Sequence, residues 1–167
     1  MSAAAQTTPA EADSPRLLPA APADAIPVRR LLAFLGMVFG MFMAILDIQI
    51  VSASLREIQA GLSASAEEIA WVQTSYLVAE VIMIPLSGYL SRAISTRVMF
   101  TIAAGGFTLA SLLCATATNI DEMIIYRAIQ GFIGGGMIPT VFASSFQIFP
   151  RSKQPLVAPM IGLVVTL

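Results

Sequence analysis

Three ionisable side chains stand where apolar residues otherwise run almost unbroken: Asp47 in "FMAILDIQIV", Glu80 in "WVQTSYLVAEVIMIP" and Arg127 in "IIYRAIQGFIGGG". A carboxyl group in such surroundings can take up and release a proton or meet a cationic guest, whereas an arginine stays charged and needs an anion. Each ionised group near the centre of a membrane helix costs ~2.5–3.5 kcal/mol on insertion scales. A passive anchor has no use for that cost, so the three charges read as functional. The rival reading is a structural ion pair, or a long side chain snorkelling to an interface, and it is strongest for Arg127, near the start of its run. Other chemistries lack their parts. There is no His, and the single Cys114 lies in an apolar run, where it reads as a small hydrophobe. That leaves no zinc site, no disulfide within the chain and no nucleophile–base pair, so an enzyme is not expected.

The composition states which solvent these groups sit in. The 167 residues are 57% hydrophobic and 11% charged, with a mean hydropathy of +0.82, too few charges to coat a soluble domain. A net charge of −1 argues against nucleic acid as a partner. From residue 31 onward the chain divides into apolar runs at about 31–53, 69–90, 98–118, 123–149 and 156–167. The first four approach or exceed the ~20 residues of a bilayer span. The fifth, at 1.5 Å per residue, rises only ~18 Å before the last residue. The expected fold is therefore an all-α membrane protein with four complete spans and a truncated fifth, 29–167 forming an incomplete bundle. Residues 1–28 carry Pro9, Pro15, Pro19, Pro22 and Pro27 in an Ala-rich stretch, expected to be a disordered cytoplasmic tail rather than a cleaved signal. Arg16, Arg29, Arg30, Arg92, Arg97, Arg151 and Lys153 all fall on one side of the spans, and Arg56 alone falls on the other. The positive-inside rule makes the first side, with the N-terminus, cytoplasmic.

Depth and helical phase sharpen the picture. Asp47 lies ~9 Å and Arg127 ~6 Å below the same outer surface, and Glu80 ~16 Å down, near the midplane. An Asp47–Arg127 pair would offset its own burial, while Glu80 could shed its charge by taking a proton. At 100° per residue Gly36, Gly40, Met43, Asp47 and Ser54 share one stripe; Gln73, Tyr76, Glu80 and Ser87 a second; Arg127, Gln130, Gly131, Gly134 and Ser145 a third. The pairs Gly36/Gly40 and Gly131/Gly135 have the spacing of close helix packing. Pro85 and Pro139 are expected to interrupt the second and fourth spans, with "GFIGGGMIP" bendable.

At these residues the chain resembles the EmrB/QacA-type drug:proton antiporters, the fourteen-helix branch of the major facilitator superfamily. "LDIQIVSASL", "WVQTSYLVAE", "GYLSRAISTRVMF" and "YRAIQGFIGGGMIP" stand, in order, where that branch carries its first-helix L-D-x-T-I-V-N-V-A-L-P, its W-V-x-T-A-Y-x-L-A, its G-x-L-A-D-R-x-G-R-R loop and its R-x-x-Q-G-x-x-x-G element. The resemblance covers about 30–167. In the first motif Gln49 and Ser52 replace the usual Thr and Asn, and Arg56 replaces Pro. In the loop Arg92 replaces the Asp that latches the cytoplasmic side and Ser95 replaces Gly, while Gly88 and Arg97 match. The resemblance implies part of the N-terminal six-helix bundle of an exporter in a bacterial inner membrane. It would expel small amphipathic compounds with the proton as coupling ion and no other cofactor. Asp47 and Arg127 would take the coupling roles. Glu80, with Gln73, Tyr76 and Gln130 on facing stripes, is a candidate substrate or proton site from the depth argument alone. The implied partners are the lipid bilayer, the substrate and further helices beyond residue 167. Whether a periplasmic adaptor and outer-membrane channel work alongside is open at this point. The alternative is a small helical membrane protein, or an inactive transporter fragment, whose polar stripes only drive assembly.

Overall fold

The computed structural model describes residues 27–152 and 154–166; of the expected tail at 1–28, residues 1–26 lie outside them, and Val28 already opens the first helix. The described residues form helices joined by short turns, with α1 Val28–Ala53, α2 Leu55–Gly61, α3 Ala66–Ile94, α4 Thr96–Ala115, α5 Ile120–Gly134, α6 Met137–Ile148 and α7 Gln154–Thr166. α1, α3 and α4 are each long and apolar enough to cross a membrane. Their outer faces carry large exposed apolar side chains such as Leu35, Phe39, Val81, Ile82, Ile102 and Leu109, the pattern of a protein whose surroundings are hydrocarbon.

Local signals set the helix ends. Ser65 caps α3 by accepting from the Glu68 N–H at 3.2 Å, while the Glu68 carboxylate accepts from the Ser65 N–H at 2.8 Å, a reciprocal capping box. Those hydrogen bonds, the backbone one first, hold the Glu68 carboxyl below its ordinary range. Asn119 caps α5 through the Glu122 N–H. Glu122 in turn accepts from the backbone and hydroxyl of Thr118, which lowers its carboxyl likewise.

Three expectations need correction. The fourth span is not one helix over 123–149 but two, α5 and α6, meeting at Gly135 and Gly136. Both glycines keep right-handed dihedrals (φ −59°, ψ −18° and φ −78°, ψ −14°), so the chain bends without reversing. Pro139 has no N–H for the Gly135 carbonyl four residues back. One residue on, the Thr140 N–H reaches the Gly136 carbonyl only at 3.4 Å while its hydroxyl donates there at 2.5 Å, a side-chain substitution that bends helices. α3, by contrast, runs unbroken through Pro85. Met83 and Ser87 on either side are buried, with Gly136 close beside both, and they pin the helix to its neighbours.

The third correction concerns α1. Its buried face is Phe34, Met37, Met41 and Ala44, whereas Gly36 is exposed with nothing near it and Met43 is 39% exposed. Small residues permit close approach but do not decide which face turns inward; here the bulky apolar ones do. They join Val141 of α6 and Val157 and Ile161 of α7 in one cluster. A second cluster unites Ala44, Tyr76, Ala103, Phe107 and Met137. Gly40 does pack closely, against Phe100 and Met137.

Ser95, between α3 and α4, holds φ 84° and ψ 135°, a region that penalises any Cβ by about 1–3 kcal/mol. Replacing it with glycine, the residue of the loop motif it resembles, is expected to raise unfolding stability in detergent by about 1 kcal/mol. Ser95→Ala is expected to bring no gain. A thermal or denaturant scan of the two variants checks this.

Candidate functional site

The geometry begins with glycine. A Cβ on Gly131 would run into the Tyr76 backbone, and one on Gly135 would meet the Glu80 backbone at 2.8 Å. Lacking side chains at these points, α5 lies directly against α3, its most extensive neighbour. That approach carries the Arg127 guanidinium over the Tyr76 ring, 4.3 Å from its centroid, a cation–π contact in a desolvated place. Arg127 is 1% exposed and Tyr76 and Gln130 not at all.

Arg127 Nη1 donates to Asp47 Oδ2 of α1 at 2.5 Å and to Gln130 Oε1 at 2.8 Å. Gln130 Nε2 donates to the other Asp47 oxygen and to Ser111 Oγ of α4, each at 3.1 Å. Cys114 Sγ adds a contact of 3.5 Å to Gln130 Oε1. Every hydrogen-bonding position of the Gln130 amide is thereby used, and the arrangement assigns its oxygen toward Arg127. The pair Asp47–Arg127 is the ion pair among the described residues, and four helices meet at it. Nε and Nη2 of Arg127, the Tyr76 hydroxyl and Gln73 Oε1 have no hydrogen-bond partner among the described residues.

The structure therefore brings together Asp47, Arg127, Gln130 and Tyr76, with Gln73 three residues before Tyr76 on α3. Glu80 is half-buried one turn further along and makes no hydrogen bond among the described residues. Gly131 and Gly135 lie at the α3–α5 crossing; Gly36 does not pack, as described above. A side chain on Gly88 would meet open space, and Arg97 lies exposed at the other end of the bundle. Ser111 and Cys114 of α4 join the network without a sequence signal of their own. α4 has no charged residue after Arg97, so no burial cost singles them out; only their spacing of three puts both toward Gln130.

A description of the Major Facilitator Superfamily matches residues 37–166. Among curated proteins, the chain is 54% identical over 134 residues to the colistin resistance protein EmrB of Acinetobacter baumannii, covering 80% of this chain and 26% of that one. It is 33% identical over 141 residues to the fatty acid resistance protein FarB of Neisseria gonorrhoeae (78% and 28%). Over 130 residues it is 35% identical to multidrug resistance protein 3 of Bacillus subtilis (78% and 25%). The chain spans about a quarter of the length of these relatives.

Gln130→Ala removes a partner from Arg127, Asp47 and Ser111 at once, and is expected to lower unfolding stability by about 2–3 kcal/mol; Ser111→Ala is expected to cost about 1 kcal/mol. A double-mutant cycle on Asp47 and Gln130, read by denaturant unfolding in detergent, is expected to show coupling of at least ~0.5 kcal/mol.

Proposed function

Since the chain belongs to the Major Facilitator Superfamily, we propose that it supplies part of a proton-driven exporter of amphipathic compounds, a multi-pass protein of the bacterial inner membrane with its N-terminus in the cytoplasm. The observation that carries the reading is the Asp47–Arg127 pair, held by Gln130 and buried where four helices meet. The one-sided distribution of arginines supports the orientation. The relatives are named for colistin, for fatty acids and for several drugs. A polycationic lipopeptide and an anionic amphiphile share an apolar body with a charged head, so amphipathicity is the common property. Multidrug efflux is the inference from it.

Protonation is the switch. A proton on Asp47 removes its charge and leaves Arg127 buried without its anion. Breaking a buried pair in this way costs about 3–5 kcal/mol, enough to displace a two-state equilibrium by roughly a hundredfold or more. With the site open outward, the proton taken from outside favours release of the bound compound outward and the switch inward; loss of the proton inward restores the pair and the next substrate enters. The two halves of the complete bundle rock about a site near the midplane. The unused polar atoms of Arg127, Tyr76 and Gln73, with Glu80 one turn away, supply the polar side of that site. Glu80 is the contact for a cationic head.

Two variants test this in proteoliposomes carrying the whole protein. Asp47→Asn is expected to abolish substrate-driven proton release while substrate binding persists; unchanged proton release would refute the coupling role. Glu80→Gln is expected to weaken export of cationic substrates about tenfold and to leave anionic ones within about twofold, measured as the two initial rates side by side.

A further inference from the structure

At the end of the bundle far from the Asp47–Arg127 pair, a cleft of about 250 Å³ opens between α1, α4 and α6, lined by Arg30, Met37, Thr96, Arg97, Ser144 and Gln147 among others. Among the described residues its lining contains two guanidinium groups and no carboxylate. Neither Arg30 nor Arg97 makes an ion pair among the described residues. Thr96 and Arg97 are also the first residues of α4. Ser95 provides no side-chain cap there and no acidic residue occupies the first turn, so the leading N–H groups and the positive end of the helix dipole are unopposed. Gln147 donates weakly to Thr96 Oγ1 at 3.4 Å, which leaves neutral donors beside the two arginines. Two exposed arginines from separate helices line one cleft with the first residues of an uncapped helix, and planar guanidinium forks beside a helix start are the chemistry that recognises a phosphate. Basic pockets between membrane helices on the arginine-rich side hold lipid headgroups for the same reasons.

We infer that the cleft bounded by Arg30, Arg97 and the start of α4 is a binding site for a phosphate group, presented by an anionic lipid headgroup or as the free ion. It stands apart from the coupling pair and does not depend on the export reading. A phosphate bound there ties α1 to α4 across the cleft.

The test is native mass spectrometry of the purified, delipidated protein titrated with phosphatidylglycerol and, separately, with diacylglycerol, which lacks the phosphate. Phosphatidylglycerol is expected to bind in clear preference to diacylglycerol. Arg30→Gln and Arg97→Gln are each expected to cut the bound fraction about tenfold. Arg29→Gln and Arg92→Gln, exposed arginines nearby that do not line the cleft, are expected to change it by less than about twofold. Competition by millimolar inorganic phosphate would identify the free ion as a sufficient occupant, and its failure would assign the site to the lipid; both support a phosphate site. Equal binding of diacylglycerol, or equal losses from Arg92→Gln and Arg97→Gln, would overturn it, since the first needs no phosphate and the second only a general surface potential.

Discussion

Hydrocarbon offers an ionised group nothing to bond with, and that constraint governs this molecule. Arg127 cannot lose its charge, so once it lies inside the bundle the protein itself must solvate it. The solvation comes from four helices: a carboxylate from α1, an aromatic face from α3, an amide on its own helix and, through that amide, a hydroxyl and a thiol from α4. The bundle is drawn together around one cation. Apolar packing alone would not specify this meeting, because lipid tails compete equally well for leucine and phenylalanine.

The arrangement also depends on what is missing. Gly131 and Gly135 carry no side chain where the α3 backbone passes, and without that contact the guanidinium would not reach the Tyr76 ring. Charge supplies the attraction and glycine the clearance. Function and packing are therefore not separable along α5: Arg127, Gln130, Gly131 and Gly134 form one face.

Much of this was legible in the residues. Apolar runs marked the spans because the solvent is uniform, and helical rise put Asp47 and Arg127 at one depth, where a 2.5 Å ion pair now stands. On α5 the stripe holds for Arg127, Gln130, Gly131 and Gly134, but Ser145 falls beyond the break on α6; on α3 Tyr76 and Ser87 are buried while Gln73 and Glu80 are half-buried. The stripe on α1 does not hold, since Gly36 and Met43 share an angle but the larger Phe34, Met37 and Met41 decide the buried face. The break in the fourth span was visible as a tendency to bend, yet its place depends on how tightly Gly135 meets α3, which is a tertiary fact. Ser111 and Cys114 were hidden because neutral groups carry little cost that would single them out.

The break between α5 and α6 divides one span between two allegiances. α5 is fastened to α3 and α4 through its glycines and Gln130, whereas α6 makes its closest company with α1 and also touches α7. A single stretch of chain thus works as an articulated strut. The charged half and the half lining the arginine-rich cleft are joined by two glycines rather than by a rigid rod. Tilt at one end need not be passed on in full to the other, and each end can answer to its own partner.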